Sequence, residues 1–339
     1  MTIIGAGSWG TTLAVLLAEK GCQVKLWARS RDVYNDITLN RKNSRYTQDV
    51  ILPEKITAFT TGKNGESKEI FSDSEIIIFS VPSHALREII TRFSGILSEV
   101  ADYIKAVVNV AKGLELETHM RLSEVMEKTL PVKLKDKIAF LSGPNIAMEI
   151  LKKLPSVSTV SSGNEEILNF LQKVFTNEYF RVYTNSDLAG VEICAAVKNI
   201  IAIAAGISDG LGYGSNTKAS LITRGLHELS KVGLLMGARP ETFSGIAGMG
   251  DLITTCISPS SRNRMVGERL AKGESMDEIK ERMYMVAEGI NTTKVLFEIS
   301  VKKKIDLPIT ESVYNIIYRG LKPEDSVKQL MSRKFKSEV

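Results

Sequence analysis

The chain has 339 residues, of which 43% are hydrophobic and 24% charged, with a formal net charge of +5. This is a globular composition on a chain too long for one ordinary core, so two domains are expected. The modest positive balance suits an anionic small molecule, and because basic residues crowd only at Lys302-Lys303-Lys304 and Arg333-Lys334-Phe335-Lys336, no nucleic acid is expected as a partner.

The chain opens directly into Thr2-Ile3-Ile4-Gly5. With no basic segment ahead of a long apolar run, no signal peptide is expected. Short Ile- and Val-rich runs at Thr2 to Ile4, Gln23 to Trp27, Glu75 to Phe79, Ala106 to Val110 and Ile138 to Leu141 read as strands buried on both faces. Helical stretches lie between them at Thr11 to Lys20, Ala85 to Phe93 and His119 to Lys128. This alternation predicts βαβ crossovers and a doubly wound, mostly parallel sheet. Two more strands are expected at Ser156 to Val160 and Phe180 to Tyr183, flanking a helix from Glu165 to Phe175.

After Tyr183 the strand signal stops. Asn185 or Ser186 can cap a long apolar helix, and helical periodicity then runs to the C-terminus. The expected division is therefore an α/β domain at 1–183 and an all-α domain at 184–339. The apolar window from Leu188 to Ile207 contains Glu192, Lys198 and Asn199, which argues for a buried core helix and against membrane insertion. Cys22, Cys194 and Cys256 are far apart and form no CxxC pair or Cys/His cluster. No metal site or disulfide framework is expected, and a reducing, cytoplasmic setting fits.

Gly5-Ala6-Gly7-Ser8-Trp9-Gly10 sits between the first strand and the first helix, the context in which GxGxxG binds a dinucleotide. About 20 residues on, where an NAD-specific site usually has an acid, the chain has Trp27-Ala28-Arg29-Ser30. Arg29 and Ser30 can hold a 2′-phosphate, which points to NADPH or to use of both NADPH and NADH. Asp32 reads as an N-terminal helix charge, and His84, just before a helix, as a loop or capping residue.

Lys112 and the Ser142-Gly143-Pro144-Asn145 turn each end a strand on the carboxyl edge of the sheet. Lys198, among aliphatic neighbours, either snorkels to the surface or is held desolvated, where it can exchange protons. Asp251 follows a Gly-rich bend. Ser260-Ser261-Arg262-Asn263 reads as an anion-binding turn in which Arg262 offers a planar fork of donors. Together these residues supply a coenzyme site, an acid/base, an orienting acid and a phosphate clamp, and reduction of a ketone needs little else.

At Gly5-Ala6-Gly7-Ser8-Trp9-Gly10-Thr11, Val81-Pro82-Ser83, Ala111-Lys112-Gly113, Ser142-Gly143-Pro144, Ala196-Val197-Lys198-Asn199-Ile200, Gly250-Asp251-Leu252 and Ser261-Arg262-Asn263 the chain resembles the soluble, bacterial-type NAD(P)-dependent glycerol-3-phosphate dehydrogenases. The resemblance implies a Rossmann-type N-terminal domain, an all-α C-terminal domain and a homodimer. It also implies interconversion of dihydroxyacetone phosphate and sn-glycerol 3-phosphate, supplying phospholipid synthesis. By the same resemblance Gly5, Gly7, Ser8, Trp9, Gly10, Arg29, Ser30, Lys112, Ala147, Arg262, Val286 and Glu288 would bind coenzyme. Lys112, Gly143, Asn145, Lys198, Asp251, Ser261, Arg262 and Asn263 would bind substrate, with Lys198 as proton donor and acceptor and Lys112 and Asp251 assisting it. Asn145 departs from the serine of many bacterial members and keeps the capacity to hydrogen-bond. Two other readings are a related hydroxy-acid dehydrogenase and a non-catalytic NAD(P)-binding redox sensor.

Overall fold

The structure, a computed structural model, describes residues 1–61, 68–283, 287–335 and 337. Eight strands, β1 (Thr2–Ile4), β2 (Val24–Trp27), β3 (Ile56–Phe59), β4 (Ile76–Phe79), β5 (Ala106–Asn109), β6 (Ile138–Ser142), β7 (Ser156–Ser161) and β8 (Phe180–Asn185), form one sheet in the order β3-β2-β1-β4-β5-β6-β7-β8. All neighbours run parallel except β6 and β7. The sheet is thus the parallel-rich, helix-covered α/β type that the alternating sequence predicts.

β4 shows why a short apolar run becomes a central strand. Ile76, Ile77, Ile78 and Phe79 are all fully buried. Ile76 and Ile78 join the core that includes Leu13 and Leu17, while Ile77 and Phe79 join the one that includes Phe71 and Phe93. Successive side chains point to opposite faces, and both faces are covered.

Two elements depart from the sequence reading. β3 was not expected, because it is an edge strand whose residues, Ile56 apart, are half-buried or exposed, so it has no continuous apolar run. β7 runs antiparallel to β6. The chain between them carries only the five-residue helix Ala147–Leu151. At ~8 Å it is shorter than the ~16 Å strand that a parallel return must span.

Two helix starts are also corrected. The expected helix at His119 begins at Leu122, and His119 has φ +61°. The long apolar helix Leu188–Gly210 is capped by Asp187, whose Oδ1 accepts from Gly190 N at 2.9 Å; Asn185 instead accepts from Asp187 N at 2.7 Å.

The chain order reverses at β1, with β2 on one side and β4 on the other. Ligands of open α/β sheets bind at the carboxyl ends of strands beside such a reversal. Ile4 pairs with Phe79, so Gly5 leaves β1 beside Ser80. A β-carbon on Gly5 would lie 2.4 Å from the Ser80 carbonyl oxygen, and its φ of +116° is one that other residues avoid.

The chain divides into two compact units, Met1–Lys112 with Met120–Glu192, and Gly113–His119 with Ile193–Val339. Among the described residues the second unit is helical, without a strand. Its centre is the Leu188–Gly210 helix, where Ile193, Ala196, Val197, Ile200, Ile201 and Ile203 are fully buried, as expected of a helix apolar on every side. β-Carbons on Gly206 and Gly267 would lie about 2 Å from the Arg264 and Ile203 carbonyl oxygens, so this helix and Arg262–Ala271 cross backbone against backbone.

Candidate active site

In the first unit the Ser8–Glu19 helix starts immediately after β1, with Gly7 as its N-cap. No acid occupies its first turn, leaving the positive end of the helix uncompensated. Gly10 is demanded by the fold, since a β-carbon there would lie 2.0 Å from the Gly5 carbonyl oxygen. Gly7 is not: its φ is −77°, and a β-carbon would meet nothing within 4 Å. A glycine that the described protein atoms do not require, at an uncompensated helix N-terminus, fits close approach by a diphosphate.

Ser8 and Trp9 are half-buried at this helix start, and Trp9 packs on the first core. Arg29 is exposed just past β2. Ser30 is the N-cap residue of the Arg31–Asn40 helix but makes no side-chain capping bond, and Asp32 lies in the first turn of that helix. His84 is exposed in a short 3-10 turn, Ser83–Ala85, ahead of the Leu86–Val100 helix.

At the end of β5, the Asn109 side chain shapes the turn to Lys112: its Oδ1 accepts from Ala111 N at 3.1 Å and its Nδ2 donates to Ala111 O at 3.3 Å. Lys112 Nζ donates to the Gly143 carbonyl at 3.1 Å, bringing two predicted residues together. Asn145 is tied to β7, donating to Val157 O and accepting from Ser158 Oγ, both at 2.9 Å. Each of its polar atoms retains further hydrogen-bonding capacity. Ala147 opens its five-residue helix and is half-buried.

In the second unit Lys198 does not snorkel. Its side chain is 4% exposed, and its Nζ donates to Asp251 Oδ1, itself on a residue only 2% exposed, and to Thr255 Oγ1 at 2.8 Å. Thr255 Oγ1 in turn donates to the Asp251 carbonyl at 2.6 Å. An isolated buried ammonium is very costly, and the adjacent carboxylate offsets much of that cost. A π-helical turn, Ile246–Gly250, leads into the Asp251–Ile257 helix and sets Asp251 on its first turn. Burial pushes the neighbouring Cys256 thiol up to about 12, so it holds no thiolate at neutral pH.

Next to Lys198, Asn199 Oδ1 accepts from Asn263 Nδ2 at 2.9 Å, and Asn263 Oδ1 accepts from Gly289 N at 2.9 Å. These bonds hold the starts of the Arg262–Ala271 and Glu288–Lys303 helices beside the Lys198 helix. Ser261 caps the first of them, accepting from Arg264 N at 3.3 Å, and Arg262 is exposed at its first position. A cation at the positive end of a helix opposes the macrodipole. The same two positive features together attract an anion. Glu288 is half-buried, and Val286 lies outside the described residues. The predicted residues thus form two groups, one in each unit.

Residues 1–168 match the family of NAD-dependent glycerol-3-phosphate dehydrogenase N-termini, and residues 187–328 the family of NAD-dependent glycerol-3-phosphate dehydrogenase C-termini. The chain belongs to the NAD-dependent glycerol-3-phosphate dehydrogenase family. It is similar to glycerol-3-phosphate dehydrogenase [NAD(P)+] of Chlorobium limicola, 44% identical with 100% of this chain and 99% of that one covered. The enzyme of the same name from Leptospira biflexa is 43% identical, with 99% and 98% covered. Among solved structures, glycerol-3-phosphate dehydrogenase from Coxiella burnetii matches with a TM-score of 0.89 at 36% identity, covering 98% of each chain.

In this dehydrogenase two polar residues escaped the sequence reading as site residues. Thr255 is one helical turn after Asp251, a spacing that becomes informative only once both lie on a helix. Asn109 reads as part of the buried strand Ala106 to Val110, and nothing in its spacing signals that it ends the strand with its side chain turned back onto Ala111.

Proposed function

We propose that this chain interconverts dihydroxyacetone phosphate and sn-glycerol 3-phosphate with Lys198 as the acid/base, a reading carried by the buried Lys198–Asp251 pair in a member of this family. A bound nicotinamide coenzyme, NADPH or NADH, would supply the hydride for reduction and take it up in oxidation. In reduction Lys198 Nζ gives a proton to the C2 oxygen, and in oxidation the neutral amine takes it back. Asp251 orients the amine and balances its charge, while Thr255 fixes its direction.

Arg262, Ser261, Asn263 and the first N–H groups of their helix hold the phosphate, and this remote binding aligns C2. Lys112, Gly143 and Asn145 contribute the substrate contacts of the first unit. Gly5, Gly7, Ser8, Trp9, Gly10, Arg29, Ser30, Lys112 and Ala147 hold the coenzyme, joined by Arg262, Val286 and Glu288. Residues 1–183 then act as the coenzyme domain and 184–339 as the catalytic domain. The product serves phospholipid synthesis. The absence of membrane insertion is supported by Glu192 and Lys198 within the long apolar helix and by its burial, and a cytoplasmic location belongs to the same reading. Assembly as a homodimer belongs to the same reading.

The test is oxidation of NADPH by dihydroxyacetone phosphate, followed by absorbance. Loss of a general acid typically lowers rate by about 10²–10⁴-fold. Lys198→Ala is expected to lose that much kcat while still binding NADPH, and a kcat near that of the parent would refute the assignment.

A further inference from the structure

The segment after the Arg31–Asn40 helix has no role in the reading above, yet its Asn43 is fully buried. Asn43 Nδ2 donates to the Ala6 carbonyl at 3.0 Å and to Thr11 Oγ1 at 2.7 Å. Because the Ala6 oxygen can only accept, the orientation of the amide is fixed. Its Oδ1 has no partner among the described residues. A buried amide with an orphaned acceptor is a burden on folding, so stability alone does not explain its presence.

The peptide joining Ala6 to Gly7 supplies a reason. In a planar trans peptide the C=O and N–H point in opposite directions. With the Ala6 oxygen drawn onto Asn43, the Gly7 N–H faces away from Asn43. We propose that Asn43 is a positioning residue for the coenzyme, aiming the Gly7 N–H at its diphosphate. This rests on the reading that the Gly5–Gly10 loop holds the coenzyme.

The anchor is itself held. Tyr46 N and Thr47 N donate to the Asn43 carbonyl at 3.0 and 2.8 Å. Asp36 Oδ2 accepts from Ser44 N at 2.8 Å, and its Oδ1 accepts from Asn40 Nδ2 at 3.0 Å. Asp36 lies on the helix that Ser30 begins. The same network therefore ties the diphosphate loop to the residues proposed for the 2′-phosphate.

Asn43→Leu removes the donors, keeps the shape and adds no charge. The expected result is a rise in Kd for NADPH of about tenfold or more by fluorescence titration. kcat at saturating NADPH and KM for dihydroxyacetone phosphate stay at parental values. A purely structural Asn43 would instead lower Tm and leave the NADPH Kd unchanged, which overturns the proposal. If Asn43→Leu does not fold, Thr11→Val removes one of the two acceptors: an NADPH Kd raised about threefold supports the proposal and an unchanged one overturns it. Gly7→Ala separates the two levels. If it leaves the NADPH Kd unchanged, the loop does not hold the coenzyme and both readings fall. If it raises Kd while Asn43→Leu does not, only the Asn43 proposal falls.

Discussion

A β-carbon placed on Gly5 strikes the Ser80 backbone, whereas one on Gly7 touches no described protein atom. Gly5→Ala is therefore expected to yield little folded protein. Gly7→Ala should fold with the parental Tm and bind NADPH about tenfold or more weakly, because the added methyl can clash only with a ligand. Equal losses of stability for the two would show that Gly7 too serves the fold. Arg262 tests the other end of the substrate. Arg262→Ala should raise KM for dihydroxyacetone phosphate by about 10–100-fold, the worth of one charge-assisted hydrogen bond, and leave unphosphorylated dihydroxyacetone unaffected. Parallel losses for both ketones would remove Arg262 from the phosphate site. Gly5, Gly7, Lys198, Asp251 and Arg262 were all legible as residue types in motifs. The sequence left open whether Lys198 reached solvent, because an apolar helix surrounds a snorkelling and a buried lysine alike.

Two helix starts are capped from a distance by buried glutamates. Glu228 accepts from Ile309 N, Thr310 N and Thr310 Oγ1 at the start of the Pro308–Arg319 helix, and Glu192 accepts from Ser123 N and Arg121 at the start of Leu122–Thr129. Burial pushes each carboxyl up to about 7, against the pull of these donors. The folded pKa lies above the unfolded one, so the folded state holds the proton more tightly, and this contribution is full at low pH and lost as pH rises. For Glu228 a rise from 4.5 to about 7 corresponds to about 3 kcal/mol. The stability of the parent relative to Glu228→Gln should fall by about that much between pH 4.5 and 7 and then level off. Urea unfolding of both proteins at pH 5 and pH 8 reads the difference; a margin that widens with pH would mean that the three donors keep the carboxylate charged. Glu228 did not stand out in the sequence, where an acid on a helix reads as surface charge, and Glu192 stood out only as a charge within an apolar window, with nothing to say that it caps another helix. The same limit explains β3 and Asp187: an edge strand lacks an unbroken apolar run, and a cap is identified only by which N–H it meets.

For the whole chain, coenzyme binding adds stability by mass action. NADPH at a hundred times its Kd should stabilise the protein that binds it by about 2.7 kcal/mol, raising Tm by roughly 4 °C for a chain of 339 residues. Thermal scans with and without NADPH check this, and no shift under conditions of turnover would mean that another segment limits unfolding. The alternation of short buried strands with helices, then helices alone, determined the α/β-then-α architecture, because period and burial are written locally in residue type. The motifs determined the family for the same reason. Only the tertiary structure decided that β7 reverses, that Asp251 and Thr255 meet Lys198, and that Asn43 reaches Ala6. Those outcomes depend on the length of a connection and on side chains meeting across dozens of residues, and local sequence carries neither.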